Sequence, residues 1–138
     1  MRKILITGGA GFIGSYLAQV LIEHGFEVRS FDLKHSPREN IDSVQGNILD
    51  RDSLGKAIKD CDAVIHLAAQ ISVPHSLDYP EETMEINVVG TENVLDLAGK
   101  NGIKRIILAS SAAVYGDSTI LPLKEDLLGN ILSPYASS

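Results

Sequence analysis

Closely spaced glycines are the first residues in this chain that could carry chemistry. Gly8, Gly9, Gly11 and Gly14 follow a short apolar run and precede a helical pattern. Glycines allow a tight turn and a close approach of phosphate to the backbone, and the N terminus of the next helix supplies N–H donors. The spacing Gly9-x-Gly11-x-x-Gly14 fits a dinucleotide-binding fingerprint. A turn that needs glycine for its conformation alone is the alternative interpretation.

Asp32 is a candidate for binding the ribose of a dinucleotide. Asp32 ends the second apolar run, 18 residues after Gly14. A carboxylate there accepts hydrogen bonds from the adenosine ribose hydroxyls and disfavours a 2′-phosphate, which predicts NAD as the cofactor. Lys34 and Arg38 lie nearby in the sequence and could reach a 2′-phosphate, so strict selection of NAD over NADP stays open. Asp32 as a turn or cap residue is the other interpretation.

The elements that must position these residues alternate along the chain. Short apolar runs followed by amphipathic stretches predict an α/β fold with a parallel sheet and crossover helices. Together with the dinucleotide-binding fingerprint this indicates a doubly wound sheet of the Rossmann type, for which we expect strand order 3-2-1-4-5. The five predicted strands are Ile4–Ile6, Glu27–Phe31, Ser43–Gln45, Ala63–Leu67 and Arg105–Ala109.

Four helices are predicted between and after these strands. The first ends at Gly25 and has an apolar stripe of Ile13, Leu17, Val20 and Leu21. A short helix follows Asp52 as its N-cap, and a final one begins at Tyr135 after Ser133 and Pro134. The longest helix runs from about Pro80 to Asn101, with helical spacing of Met84, Val88, Thr91, Leu95 and Ala98. With so few helices, we expect one face of the sheet to be under-covered.

Length and composition limit the function classes. The 138 residues suit one domain, and 12 Lys and Arg against 18 Asp and Glu give a net charge of −6 without a basic cluster, which argues against nucleic-acid binding. The single Cys61 excludes an internal disulfide, the histidines lack metal-ligand spacing, and no apolar run approaches the ~20 residues of a membrane span. We therefore expect a cytoplasmic protein with no metal, membrane or nucleic-acid partner.

Several further motifs carry a resemblance. The sequence resembles the extended short-chain dehydrogenases/reductases, the NAD-dependent epimerase/dehydratase family, whose members include UDP-glucose 4-epimerase. The matching motifs, in the family's order, are Thr7–Gly14, Asp32, Gly46–Asp50, His66–Gln70, Asn87–Asn93, Ser110–Gly116 and Ser133–Tyr135.

The resemblance implies a set of cofactor-binding residues. Asn47 and Ile48 would lie beside the adenine, and Asn47 stands where the family more often has Asp; an amide oxygen accepts a hydrogen bond more weakly than a carboxylate does. The full implied set is Gly8, Gly11, Phe12, Ile13, Gly14, Asp32, Leu33, Lys34, Asn47, Ile48, Leu67, Ala68, Ala69, Gln70, Asn87, Ser110 and Tyr135.

The resemblance also implies catalytic and substrate residues. Tyr135 would remove a proton from a sugar hydroxyl while Ser111 hydrogen-bonds the reacting oxygen, and Ser72, Ser111 and Tyr135 would contact the substrate. A phenol, with a reference pKa of ~10, needs a nearby cation to act as a base at neutral pH. The family supplies a Lys four residues after the Tyr, a position one residue beyond Ser138, the last residue here. Tyr135 as an exposed residue in a frayed turn is the alternative.

The residues after Ser111 favour one reaction. Ala112 and Ala113 cannot transfer the protons that a sugar dehydration requires, so transient oxidation at C4 and re-reduction fit better. We expect residues 1–138 to be the NAD-binding Rossmann domain of a nucleotide-sugar 4-epimerase of the UDP-glucose/UDP-galactose type, with the substrate domain absent and little turnover. A non-catalytic NAD-binding sensor and a sugar-nucleotide reductase or dehydrogenase are the alternatives. A UDP-sugar is the favoured substrate, and the long helix is a candidate contact for a homodimer.

Overall fold

A parallel sheet of five strands organises the computed structural model, which describes residues 2–36, 38–127 and 129–138. Its order is β3-β2-β1-β4-β5, as predicted from the sequence, and every predicted strand end lies within one residue of the observed end. The strands are β1 (Lys3–Thr7), β2 (Glu27–Asp32), β3 (Asp42–Gln45), β4 (Ala63–His66) and β5 (Arg105–Leu108).

The point where the strand order reverses lies beside β1. Thr7, the last residue of β1, is in register with Phe31 of β2 on one side and His66 of β4 on the other. From β2 the chain continues to β3 on one side of β1, and from β4 it continues to β5 on the other side. This reversal opens a crevice at the carboxyl ends of the strands. The glycine-rich turn enters this crevice directly from β1.

Six α-helices are described, together with two short helical segments of other types. The α-helices are α1 (Phe12–Glu23), α2 (Arg51–Ile58), α3 (Val73–Asp78), α4 (Pro80–Met84), α5 (Gly90–Lys100) and α6 (Pro134–Ser137). A π-helical segment, Glu85–Val89, joins α4 to α5, and a 3₁₀ helix spans Ala112–Tyr115. Neither α3 nor the 3₁₀ helix was predicted from the sequence.

Caps explain where three of the helices begin. Asp50, and not the predicted Asp52, caps α2, because its Oδ1 accepts from the N–H groups of Asp52 and Ser53 at 3.0 and 3.3 Å. Hydrogen bonding to Ser53, and to a lesser extent to the Asp52 N–H, holds the pKa of the Asp50 carboxyl below its usual value. Ser133 caps α6 as predicted, with its Oγ accepting from the Ala136 N–H at 3.0 Å. Ser72 caps α3 through the His75 N–H at 3.2 Å.

The apolar stripe predicted for α1 is partly wrong. Gly14 and Ala18 are the buried residues of this helix, whereas Ile13 is 64% exposed and Val20 is 48% exposed. Small residues at positions 14 and 18 let the helix backbone approach the sheet. The face of α1 that contacts the sheet is therefore rotated by about one residue from the predicted face. Leu17 packs against the cluster of Ile4, Ile6, Val28 and Ile65.

The opposite face of the sheet carries the larger core. Leu5, Phe31 and Val64 pack there against α2 and α5. On the α1 side, Ile107 of β5 is 53% exposed. The expected under-covered face is therefore the α1 side of the sheet, beneath β5.

The stripe predicted for the long helix is also partly wrong. Met84 is 38% and Leu95 40% exposed, while the buried positions include Thr83, Asn87 and Asn93. The π-helical segment adds a residue to one turn and so shifts the phase of the helix. The buried positions are then filled in part by polar side chains that have hydrogen-bond partners. A hydrophobic pattern predicts apolar residues at such positions.

Candidate functional site

The glycine-rich turn is shaped by the close approach of two backbone segments. Gly8 has φ +71°, and a Cβ atom there would lie 2.8 Å from the Ala68 nitrogen. A Cβ atom on Gly14 would lie 2.3 Å from the Gly8 carbonyl oxygen. The turn is tied to β2 by the Gly8 N–H, which donates to the Phe31 carbonyl at 2.9 Å. Side chains larger than hydrogen are therefore excluded at Gly8, where the turn meets the segment after β4, and at Gly14, where α1 meets the turn.

The N terminus of α1 has the properties of an anion site. Its N-cap is Gly11, which has no side chain to cap the helix, and its first turn contains no acidic residue. Backbone N–H groups at the start of a helix that lack side-chain partners bind phosphate oxygens well. The bare helix end and the glycine cradle together fit a pyrophosphate group. This site also explains how a chain with net charge −6 could hold phosphates.

Asp32 lies beside this turn, at the end of β2. Its Oδ2 accepts from the Ala10 N–H at 3.1 Å, and its Oδ1 accepts from the Lys34 N–H at 3.1 Å. The carboxylate is thereby fixed against the glycine turn and keeps further lone pairs for a ligand hydroxyl. Lys34 is exposed and lies outside the residues that line the cleft.

The loop after β3 forms the next part of the same edge. The Gly46 N–H donates to the Asp32 carbonyl at 2.8 Å, which places this loop beside the carboxylate. Asn47 is exposed at the cleft, and its Oδ1 accepts from the Leu49 N–H at 2.9 Å. Ile48, the next residue, is buried. The predicted pair Asn47 and Ile48 thus lies on the β3 side of Asp32.

A buried histidine connects the turn to the helix behind it. Thr91 Oγ1 donates to the Asn87 carbonyl at 2.5 Å, so it accepts from His66 Nε2 at 2.9 Å. The other ring nitrogen, Nδ1, then accepts from Thr7 Oγ1 at 2.6 Å. Burial lowers the pKa of His66 to about 4, so the neutral ring is present at neutral pH. His66 thus ties β1 and β4 to the helix that contains Thr91.

Asn87, in the π-helical segment, fixes the loop that follows β4. Its Oδ1 accepts from the Gln70 N–H at 2.8 Å, and its Nδ2 donates to the Gln70 carbonyl at 3.0 Å. The same Nδ2 donates to Ser138 Oγ at 2.8 Å, which brings the end of α6 to this loop. Asn87 therefore joins Gln70 and α6 in one hydrogen-bonded unit.

Ser111 and Tyr135 reach the cleft from two separate segments. Ser111 caps the 3₁₀ helix, with its Oγ accepting from the Ala113 N–H at 3.2 Å. Tyr135 lies in α6, and both residues line the cleft. Just after the 3₁₀ helix the chain passes close to a later segment, because a Cβ atom on Gly116 would lie 2.1 Å from the Asn130 carbonyl oxygen.

One cleft of about 1310 Å³ brings nearly all the predicted site residues together. Two lie outside its lining, namely Lys34 and Ser72, and Ser72 instead caps α3. Sequence reasoning missed other lining residues, among them Gly46, His66, Glu82 and Thr91. The position of His66 at the end of a buried strand was the available signal, but the residue that pairs with it is 25 positions away. Within the described residues no cluster of potential metal ligands occurs.

The sequence matches a known protein family. The family model described as "NAD dependent epimerase/dehydratase family" matches residues 4–138. The chain belongs to this family.

Named members of the epimerase/dehydratase family differ in their reactions. The chain is 44% identical, over 98% of its length, to a Methanocaldococcus jannaschii protein named "Putative UDP-glucose 4-epimerase", and covers 47% of that protein. It is 36% identical to UDP-glucuronic acid decarboxylase 1 of Danio rerio over 94% of its length, covering 32% of that enzyme. The chain thus spans about half the length, or less, of these relatives.

A solved family structure has the same fold. The crystal structure of UDP-glucose 4-epimerase from Brucella ovis in complex with NAD is similar to this chain with a TM-score of 0.92 and 34% identity. The likeness covers 99% of this chain and 44% of the other. The predicted Rossmann-type fold and the predicted family are therefore confirmed. Among the described residues, no helix has the length and apolar character needed to cross a membrane.

Proposed function

We propose that residues 1–138 bind NAD and form the cofactor-binding part of a nucleotide-sugar 4-epimerase. The observation that carries this proposal is the single cleft at the carboxyl ends of the strands. It unites an uncapped helix N terminus, a fixed carboxylate at Asp32, and the hydroxyl side chains of Ser111 and Tyr135. The family membership and the NAD complex of the Brucella ovis relative support the same assignment.

Each part of the cofactor is proposed to contact a separate group of residues along the cleft. The pyrophosphate would lie at the glycine turn and the first turn of α1, where backbone N–H groups face the anion. The adenosine ribose would hydrogen-bond Asp32, and the adenine would continue along the sheet to Asn47 and Ile48. The nicotinamide would extend in the other direction, past Ala68 toward Ser111. The fixed positions of Asp32 and of the turn favour NAD over NADP, because a 2′-phosphate would meet the carboxylate charge.

The residues on the nicotinamide side suit proton removal from an alcohol. When bound, NAD supplies a hydride acceptor for the carbon that carries this alcohol. Tyr135 would accept the proton of the sugar C4 hydroxyl, and Ser111 would hydrogen-bond the same oxygen. Ala112 and Ala113 follow Ser111 and offer no acid or base, which disfavours loss of water from the sugar. These residue types favour oxidation and re-reduction at one carbon.

The substrate is proposed to be a UDP-sugar, and the chain alone is proposed to have little turnover. UDP-sugars appear in the names of the relatives compared above, including the decarboxylase of Danio rerio. Tyr135 is followed by Ala136, Ser137 and Ser138. No Lys or Arg is among the described residues that line the cleft beside Tyr135, and a phenol without a nearby cation is a weak base at neutral pH.

Calorimetric titration of NAD and NADP into the 138-residue chain tests the proposal. We expect saturable binding with NAD preferred over NADP. Asp32→Ala should weaken NAD binding about tenfold or more, because it removes hydrogen bonds to a charged group. Asp32→Ala should also reduce the ratio of the affinity for NAD to the affinity for NADP. Asp78→Ala, which removes an exposed carboxylate at the end of α3, is the matched control and should change neither affinity.

Two outcomes would contradict the proposal. The first is a wild-type chain that gives a folded circular dichroism spectrum and binds neither dinucleotide. The second is an Asp32→Ala variant whose NAD affinity equals that of the wild type. For turnover, conversion of UDP-glucose to UDP-galactose by this chain at ordinary enzymatic rates would contradict the assignment of low activity.

A further inference from the structure

The adenine side of the proposed NAD site depends on one buried amide. Asn93, in α5, is 6% exposed, and its Nδ2 donates to the carbonyl of Ile48 at 3.1 Å. Ile48 belongs to the loop between β3 and α2, 45 residues earlier in the chain. The two groups are buried together, so this hydrogen bond is shielded from competition with water.

A cation fixes the orientation of this amide. Arg51, the first residue of α2, donates from Nη1 to Asn93 Oδ1 at 2.5 Å, and its Nη2 donates to Asp96. Because Arg51 can only donate, the oxygen of the Asn93 amide must face the guanidinium and the nitrogen must face Ile48. The neighbouring pair of Asp96 and Lys100 continues this polar row along α5.

The side chain of Ile48 is held by the same helix. Gly90 lies one turn before Asn93, and a Cβ atom at Gly90 would lie 2.4 Å from Cδ1 of Ile48. Residues three apart share a helix face, so Gly90 makes room for the Ile48 side chain while Asn93 binds its carbonyl. Helix α5 thus holds both the backbone and the side chain of one loop residue.

The rest of the loop is braced internally. Asn47 Oδ1 accepts from the Leu49 N–H, and the Asp50 N–H donates to the Asn47 carbonyl at 2.9 Å. These bonds make a stiff turn, but they do not fix how that turn lies against the sheet. The bond from Asn93, which does not line the cleft, links the turn to α5.

We propose that Asn93 is a positioning residue for adenine recognition, because it holds the Ile48 carbonyl and so sets Asn47 and Ile48 against the base. The inference rests on the NAD site proposed above and extends it to a residue that does not line the cleft. Asn93 contacts no ligand in this arrangement and acts through Ile48 alone. Its effect should therefore be specific to the base, and not common to all parts of the dinucleotide.

The test compares two ligands that differ only in the base. NAD and nicotinamide hypoxanthine dinucleotide are titrated calorimetrically into the wild type, Asn93→Asp and Asn101→Asp. Asn93→Asp keeps an acceptor for Arg51 and removes the donor to Ile48. Asn101→Asp is the matched control, because Asn101 is the exposed C-cap of the same helix and its Nδ2 donates to the Leu97 carbonyl at 2.8 Å. Asn93→Ala, with a strong helix former, provides a second variant that also lacks the donor.

The expected result is a selective loss. NAD affinity should fall about fivefold in both Asn93 variants, the equivalent of one net hydrogen bond. The affinity for the hypoxanthine analogue should fall less, so the ratio of its Kd to the Kd of NAD should decrease toward one. Asn101→Asp should keep both affinities within about twofold of the wild type, since it removes a hydrogen bond local to α5.

Four outcomes would overturn the inference. Equal losses for the two ligands, or no loss for NAD, would show that Asn93 does not act on the base. Failure of both Asn93 variants to fold, by circular dichroism, would assign the residue to core stability instead. A folded wild type that binds neither ligand would refute the NAD site itself, and is thereby distinguished from failure of the positioning role alone.

Discussion

Protonation of His66 should make the stability of the chain depend on pH in the mildly acidic range. Burial lowers the pKa of this imidazole from 6.5 to about 4, and the ring is only 5% exposed. Protonation would also place a hydrogen on Nδ1, which accepts from Thr7 in the folded chain. His66 is therefore harder to protonate in the folded state than in the unfolded state.

The sign and size of the effect follow from linkage. Between pH 6.5 and about pH 4 the unfolded chain binds more protons at this residue than the folded chain does, so stability rises with pH in that window. The stabilisation is complete above about pH 6.5 and is lost as the pH falls toward 4. Lowering the pH from 7.5 to 4.5 should cost roughly 2.5 kcal/mol at this one residue.

Urea unfolding followed by circular dichroism at several pH values between 4.5 and 7.5 measures this effect. His66→Gln removes the titrating ring, so the variant should lose the His66 part of the pH dependence even though it is less stable at pH 7.5. His35→Gln is the control, because His35 is exposed and the variant retains His66. If wild type and His66→Gln lose equal free energies of unfolding between pH 7.5 and 4.5, the assignment of a neutral buried ring is wrong.

Two further substitutions, one of them with a control variant, test the turn and one of the caps. Gly14→Ala should destabilise the fold by roughly 1–3 kcal/mol and weaken NAD binding, because its Cβ atom would meet the Gly8 backbone. Gly99→Ala has open space around it in α5 and should stabilise the fold by up to about 1 kcal/mol, so equal effects in thermal unfolding would refute the steric argument. Ser72→Ala should cost about 1 kcal/mol through loss of the α3 cap and leave NAD affinity unchanged. A large loss of NAD affinity in Ser72→Ala would show that its role exceeds capping.

Local sequence signals predicted the parts of the candidate site that depend on residue type alone. The glycine turn was recognisable because few other residues can adopt the positive φ of Gly8 or fit beside Ala68. Asp32 was recognisable from its distance to Gly14 and its place after an apolar run. The Ser133 cap followed from a hydrogen bond to a residue three positions away. In each case the physical cause acts between residues close in sequence.

Helix faces and one cap were less predictable. The pattern for α1 assigned Ile13 to the buried side, but Gly14 and Ala18 face the sheet because they allow closer packing. Asp52 and Asp50 are both suitable N-caps by residue type, and the extended backbone at Asp50 decided between them. Hydrophobic periodicity gives the presence of a helix more reliably than its rotation against a sheet.

The sequence by itself determined the alternation of strands and helices and the glycine turn, because these follow from local periodicity and turn conformation. The strand order followed from the Rossmann fold type that the glycine fingerprint indicates, since β3 and β4 are consecutive in the chain but are not neighbours in the sheet. Only the tertiary structure placed His66 between Thr7 and Thr91, and Asn93 against Ile48. The partners in these contacts are 25 to 59 residues apart. A buried polar group depends on whichever donor or acceptor the folded chain brings to it, and a local sequence pattern contains no record of that distant partner.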